Sequence, residues 1–357
     1  MDQKYVGVIL PDGIYKVLLQ GKSQINVRAY QEAGDHFGLT PLFFIVKNLK
    51  PGRDEINAFI KRENGYKLET FPIPKVIYSR SFLSKRQMNY LSKMNVQIYN
   101  TKGISQNKYK MNQIISDNKE LQPYLPVTEK ATKATLQSMM ERFSRLILKP
   151  ANGSLGGGIM KLVKKADESW MLHYPVARRK WEEVTFTNVF PEVLLTTIEA
   201  KAYIIQEQIS LAKHQEMPFD MRVVVQRDHS GDWVLAGVLC KVATQKDRFV
   251  TNISQGGRSL SFDRVFKSHP YLSYQKVYEE IEVVSLKIAK HLEHYTDHIA
   301  DIALDLAVDE DGHLYFIESN FRGRYGNVKY KGKRYEEWRA KHWNPIGYAR
   351  FLIENSD

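Results

Sequence analysis

Hydrophobic and polar positions alternate along this chain in two rhythms, and the changes of rhythm mark its elements. Tyr5–Leu10 is a short apolar run that predicts a buried strand, Ile25–Phe37 carries apolar residues at helical spacing and stops near Gly38, and Pro41–Val46 predicts a second strand. Lys75–Tyr78 is a third strand candidate, Ser84–Met94 a helix and Val96–Tyr99 a fourth strand. Strands alternating with helices favour a parallel sheet, so residues 1–105 are expected to form an N-terminal α/β domain. Arg80 follows the third strand, at the carboxyl end where open α/β sheets place ligand contacts, although a plain surface arginine explains it as well.

Residues 106–205 change character. Lys108–Met111 opens a helix running to about Asn118, Pro123 and Pro126 break the chain, and Thr132–Phe143 predicts a helix begun by a threonine cap. Two strand-like runs, 145–150 and 159–163, are then joined by a loop holding Gly153, Ser154, Gly156, Gly157 and Gly158. Glycines let backbone N–H groups come close to an anion, and Lys149 on the strand before them adds a compact positive charge. The order Gly-Lys-Ser/Thr of a Walker loop is missing, and a glycine-rich hairpin without a ligand is the other reading. Residues 166–190 interleave Trp170, Tyr174, Trp181 and Phe186 with Arg178, Arg179 and Lys180; a basic helix packed by its aromatics is the preferred reading and a substrate loop the other. Pro191–Lys201 predicts a helix and Ala202–Ile209 a strand that leaves a hinge.

The remaining residues, 206–357, read as a C-terminal lobe. Phe219–Arg227 and Trp233–Ala243 form strands joined by a turn on Asp228–Asp232, with Asp220 and Arg222 on one face and Lys241 near the end of the second strand. Without a ligand site, Arg222 pairs with Asp220 or Glu207. Asn252 begins a second polar glycine loop, and Tyr274–Leu292 places Val277, Ile281, Val284, Ile288 and Leu292 on the core face of a helix. The chain then presents its most specific pattern: apolar runs Ile302–Val308 and His313–Ile317 around Asp309-Glu310-Asp311-Gly312, a hairpin signal. A two-residue turn on Asp311-Gly312 sets Asp305 opposite Glu318; a four-residue turn over 309–312 changes the pairing but keeps the parity. Side chains alternate along a strand, so either register puts Asp305, Glu318 and Asn320 on one face. Two carboxylates and an amide oxygen there repel one another unless a hard cation sits between them, and oxygen-only ligation suits Mg²⁺.

Composition narrows the picture. The 357 residues suffice for two or three domains, and 52 Lys plus Arg against 40 Asp plus Glu give a net charge of +12, which favours anionic partners such as nucleotides or an acidic peptide. No zinc-finger, RNP or helix-turn-helix pattern accompanies that charge, so specific nucleic-acid binding is not expected. One cysteine, Cys240, excludes an intrachain disulfide, and no apolar run approaches the roughly eighteen residues a membrane helix needs. A cytoplasmic protein without membrane contact is the expectation. No Ser-His-Asp constellation stands out, and His291, His294 and His298 cluster near a helix end away from the acids, so no side-chain nucleophile is expected.

With those residues in view, the chain resembles the ATP-grasp superfamily and, within it, the YheC/YheD-like group from endospore-forming bacteria. The resemblance rests on an ordered set: Asn107-Lys108, Leu148-Lys149-Pro150 with the loop Gly153–Gly158, Ile205–Ile209, Asp220-Met221-Arg222, Thr251–Ser254 with Gly256-Gly257, Asp305-Leu306-Ala307 and Ile317–Asn320. It implies an α+β and α/β ATP-grasp fold: an N-terminal α/β domain, a central lid and a C-terminal antiparallel-sheet lobe, with ATP between two antiparallel sheets. By the same resemblance Lys108 and Lys149 contact the nucleotide, the loop with Gly153, Ser154, Gly156, Gly157 and Gly158 covers its phosphates, and Glu207, Gln208 and Ile209 meet the adenine. Arg222, Lys241 and Asn252 surround the transferring phosphate and an acceptor carboxylate, and Asp305, Glu318 and Asn320 hold two Mg²⁺ ions, with Mn²⁺ able to substitute. The implied activity is a carboxylate–amine ligase that joins an amino acid or peptide carboxylate to an amine through an acylphosphate. A spore-coat ATP-binding protein without turnover and an ATP-dependent kinase are the alternatives, and the family points to spore association.

Overall fold

The computed structural model describes residues 4–22, 24–100, 107–153, 157–177, 180–244, 251, 253, 256–267, 269–296, 298–321 and 333–356. Its first part contains β1 (Tyr5–Ile9), α1 (Asp12–Leu19), α2 (Ile25–Phe37), β2 (Thr40–Phe44), β3 (Glu55–Arg62), β4 (Gly65–Pro72), β5 (Val76–Ser79), α3 (Lys85–Lys93) and β6 (Gln97–Tyr99). They make one sheet in the order β4-β3-β2-β1-β5-β6. The expected parallel strands are there, β2, β1, β5 and β6, but β3 and β4 extend the sheet as an antiparallel hairpin that the apolar pattern did not predict. Its signal was Asn64-Gly65: Arg62 pairs with Gly65 across the turn, and Gly65 has φ +110.

The second part holds α4 (Lys108–Ser116), β7 (Thr128–Lys130), α5 (Lys133–Arg142), β8 (Arg145–Pro150), β9 (Met160–Lys164), β10 (Trp170–Ala177), β11 (Lys180–Phe186), α6 (Glu192–Ala200) and β12 (Tyr203–Glu207), with its strands in the order β11-β10-β9-β8-β12-β7. The expected basic helix is therefore absent among the described residues of 166–190, where β10 and β11 pair as antiparallel strands; Arg178 and Arg179 lie outside the described residues. Trp170 pairs with Phe186 and both are buried beside Leu172 in the core under this sheet, so the aromatics answer to a period of two.

The third part comprises β13 (Lys213–His214), β14 (Met217–Arg227), β15 (Trp233–Val242), β16 (Arg258–Ser261), α7 (Phe262–Phe266), α8 (Tyr274–Glu293), β17 (Asp301–Val308), β18 (Leu314–Asn320) and α9 (Lys333–Glu354). The strands run β16-β15-β14-β17-β18, all antiparallel. Met221, Val223 and Val225 look into the core with Val277, Ile281 and Ile288 of α8, as the helical spacing predicts. Alternation sends Asp220, Arg222 and Val224 to the other face, of which α9 covers one end. That helix also packs on α2 and puts Ile346, Tyr348 and Ala349 into the core of the first sheet.

Asn100, at φ +62, locks the first and third sheets together: its side chain accepts from Ala300 N–H at 2.7 Å and donates to the Asp301 carbonyl at 2.7 Å. Tyr78 adds a bond to Asp301 Oδ2 at 2.6 Å. The start of β17 is thereby fixed. Gly231, at φ +86, lets α9 approach: a Cβ there meets the Phe351 ring at 2.6 Å. Gly231→Ala is expected to lower the melting temperature by several degrees, about 1–3 kcal/mol, through overpacking and backbone strain together. An unchanged melting curve removes Gly231 from the docking of α9.

Candidate active site

The second and third sheets face each other across a cavity of about 770 Å³ whose lining includes Lys149, Gln206, Asp220, Lys241, Asp305 and Glu318. At its other end the chain passes between the sheets through Gln208, Ile209 and Leu211. Lys108, at the start of α4, reaches in from the side.

The hairpin of β17 and β18 shows how the acids come to share the cavity. Its loop is neither of the two turns expected: Asp309 N–H donates to the His313 carbonyl and Gly312 N–H to the Asp309 carbonyl, with Gly312 at φ +91, so Glu310, Asp311 and Gly312 form a three-residue loop. Val308 then pairs with Leu314, Ala307 with Tyr315 and Leu306 with Phe316. Continued unbroken, that register puts Ile317 opposite Asp305 and turns Glu318 to the wrong face. A bulge at Ile317 resets it, so Asp305 does lie opposite Glu318, and Ile317 and Glu318 both line the cavity.

Asp305 is the hub. Arg222, its direct cross-strand partner on β14, grips it with two bonds, Nε to Oδ1 at 2.7 Å and Nη2 to Oδ2 at 2.8 Å, and Lys241 Nζ donates to Oδ2 at 2.9 Å. Lys241 also lies 3.0 Å from Asp220 Oδ2, its cross-strand partner. Arg222 therefore turns to Asp305, and not to Asp220 or Glu207. Burial pushes the Asp305 carboxyl up, but Lys241 and Arg222 outweigh it and hold it down at about 2. Asp220 goes the other way, raised by burial against the pull of Lys241. Burial alone would neutralise Lys241, yet Asp220 and Asp305 keep its ammonium above the ordinary lysine value.

Lys149 is the other buried cation. Its Nζ donates to Gln206 Oε1 at 2.9 Å, and Gln206 Nε2 donates to Thr128 Oγ1 at 2.7 Å, which orients the amide so that its oxygen faces the lysine. Burial brings the Lys149 pKa down to about 8, with Glu318 opposing and Lys108 assisting. Lys108 Nζ donates to the Gly153 carbonyl at 2.7 Å and lies 3.8 Å from Glu318, so it ties the glycine loop to the acidic face.

Other expected site residues are more dispersed. Gly157 lines the cavity, and Gly158, at φ +73, accepts on its carbonyl from Tyr203 OH at 2.8 Å. Ser154, Gly156 and Asn252 lie outside the described residues. The Glu207 side chain accepts from Val127 N–H at 2.8 Å, which leaves its role in the cavity to the backbone. Asn320 sits beside Glu318, Nδ2 to Oε1 at 3.5 Å, and Arg80 lies away from this lining with Nη1 3.2 Å from Tyr30 OH. Sequence reasoning missed the pair His173 Nδ1–Glu183 Oε1 at 2.9 Å, on the cavity face of β10 and β11. Its signal was the alternation of the hairpin misread as a helix.

Among the described residues no group of three or more His, Cys, Asp or Glu is arranged to hold a metal. The oxygen donors that line the cavity are instead two carboxylates, Asp305 and Glu318 on adjacent strands, with the Asn320 amide beside Glu318. Hard oxygen donors of this kind fit Mg²⁺, which takes few protein ligands and keeps waters or phosphate oxygens for the rest.

Two sheets closing on a polar cavity, after an N-terminal α/β sheet, define the ATP-grasp fold. Solved structures share it: the ATP-grasp ligase PsnB complexed with a minimal precursor, at TM-score 0.53 and 14% identity over 98% of this chain and 100% of that one, and the VanG D-Ala:D-Ser ligase of Enterococcus faecalis, at TM-score 0.52 and 9% identity over 98% and 100%. At these identities the likeness is one of fold. The chain belongs to the YheC/D-like ATP-grasp family, whose model matches residues 95–352. It is 24% identical over 289 residues to the endospore coat-associated protein YheD of Bacillus subtilis (strain 168), a match that spans 75% of this chain and 60% of the relative. No helix among the described residues is long and apolar enough to cross a membrane.

Proposed function

We propose that this protein is an ATP-dependent carboxylate–amine ligase. The observation that carries the reading is the cluster Arg222, Lys241, Asp305 and Glu318 on neighbouring strands, with Lys241, Asp305 and Glu318 lining one end of a cavity and Arg222 bound to Asp305, while the other end is a hinge between two sheets. On this reading the adenine lies at the backbone of Glu207, Gln208 and Ile209, and the phosphates run past Lys149 and Lys108 beneath the glycine loop. A carboxylate of the acceptor takes the terminal phosphoryl group, and an amine opens the resulting acylphosphate with loss of phosphate. Asp305, Glu318 and Asn320 would hold Mg²⁺, which supplies charge neutralisation on the phosphate oxygens when bound. Arg222 and Lys241 hold the acceptor carboxylate and the equatorial oxygens in place, and phosphoryl transfer asks little beyond such positioning. The relatives support an amino acid or peptide acceptor, since PsnB was solved with a precursor peptide and VanG is a D-Ala:D-Ser ligase.

A coat-associated nucleotide binder without turnover has no need of this charge set, and the set is intact. ADP release across a panel of amino acids and short peptides, each with and without an amine, tests the proposal. ADP and phosphate that appear only with both substrates support a ligase, a stable phosphorylated product makes the protein a kinase, and no ADP with any pair removes the reading.

The depressed Lys149 pKa gives a second check. Phosphate contact needs the ammonium, and the free protein loses that proton as pH rises through about 8. ADP affinity is therefore expected to hold from pH 6 to 7 and to fall above pH 8 by up to about tenfold per unit. Lys149→Met should bind weakly throughout and lose that slope; a variant keeping the wild-type slope assigns it to another group.

A further inference from the structure

Asp305 has two sets of partners and one carboxylate. Its side chain is 2% exposed, and its oxygens carry the Arg222 fork at 2.7 and 2.8 Å together with Lys241 at 2.9 Å. If the same carboxylate ligates a divalent ion, a dication must settle among two cations that already touch it, in a setting too dry to screen the repulsion. Lys241 has a second anchor, Asp220 Oδ2 at 3.0 Å on the strand beside it. Arg222 is differently placed: its side chain is 28% exposed against 5% for Lys241, so its guanidinium can turn from Asp305 toward solvent while its own strand stays put.

We propose, building on the ligase reading and its metal face, that a divalent ion enters by displacing Arg222 and Lys241 from Asp305, and that the guanidinium fork so released is what receives the oxyanion of the acceptor. Asp220 keeps Lys241 at the site meanwhile. Until the metal arrives, Asp305 occupies the bidentate fork with the same carboxylate geometry that an acidic acceptor offers, so the protein blocks its own acceptor site with an internal mimic. Metal and acceptor then bind with positive coupling, since each removes a competitor of the other. One signature follows that neither a plain structural ion pair nor a plain phosphate contact produces: loss of Arg222 tightens the metal while it slows the reaction.

The test is Mn²⁺ uptake in the presence of ADP, read from the loss of the free-ion electron paramagnetic resonance signal beyond the loss that the same ADP causes without protein. Arg222→Gln is expected to bind Mn²⁺ roughly tenfold tighter than wild type, the change that corresponds to removing one charge-assisted competitor. Lys108→Met, which removes a charge beside Glu318 without touching Asp305, should tighten it by less. In an Asp305→Asn background the Arg222→Gln gain should vanish, since the competition runs through that carboxylate. Arg222→Lys keeps the charge but not the fork; it is the second variant should the glutamine form fail to fold, and it tightens in the same direction. Affinity unchanged or weaker in both Arg222 variants, or an equal gain with Asp305 replaced, overturns the inference. A wild type that takes up no Mn²⁺ with ADP fails differently, by removing the metal face itself.

Discussion

Asp305→Asn leaves the protein folded and ends ADP release. The amide has the shape of the carboxylate but not its charge, so the site holds a divalent ion more weakly and in the wrong place for transfer, and the fork of Arg222 loses its paired oxygens. Breaking a buried pair costs roughly 3–5 kcal/mol when a charge is stranded. Here the cost should fall short of unfolding, because Lys241 retains Asp220 at 3.0 Å and Arg222 can reach water. The melting temperature should therefore drop while the circular dichroism spectrum persists. Glu318→Gln, whose side chain is 28% exposed, should abolish turnover with a smaller loss of stability. Near-normal ADP release from both variants would falsify the metal face.

Arg222→Ala should lower the rate of phosphoryl transfer by about 10²–10³-fold, the usual effect of deleting one preorganised donor to developing charge. Arg222→Lys should recover only part of this, since an ammonium is a point charge and cannot make the two parallel bonds seen to Asp305. Measured as kcat with the acceptor saturating, the alanine loss separates transition-state stabilisation from binding. If only KM rises while kcat holds, Arg222 is an acceptor-binding group and no more.

The bulge at Ile317 shows how far the acidic face was legible. Counting back from Asp311-Gly312 gives the observed pairing of Asp305 with Glu318, but through a turn that does not form; a longer loop and an extra residue offset one another. Parity arguments survive only when both are known, and neither has a side-chain signature in these residues. Residues 166–190 failed for another reason: the intervals between Trp170, Tyr174, Trp181 and Phe186 satisfy a helix and a twisted hairpin about equally, and pairing with β9 decided between them. Lys333–Glu354 was not foreseen as a helix at all, because it is buried against the first and third sheets on different sides and shows no single apolar stripe.

By itself the sequence determined the four long strands β14, β15, β17 and β18 of the third sheet, the face that Asp220 and Arg222 share, and the core helix Tyr274–Glu293, because a period of two or of 3.6 follows from backbone geometry alone. Only the tertiary structure decided which charges meet. Arg222 and Asp305 stand 83 positions apart in the chain, Lys241 and Asp305 stand 64 apart, and what brings each pair within 3 Å is the order in which strands lie side by side. Strand order is set by the summed burial of all the faces at once, a quantity that no local stretch of residues carries.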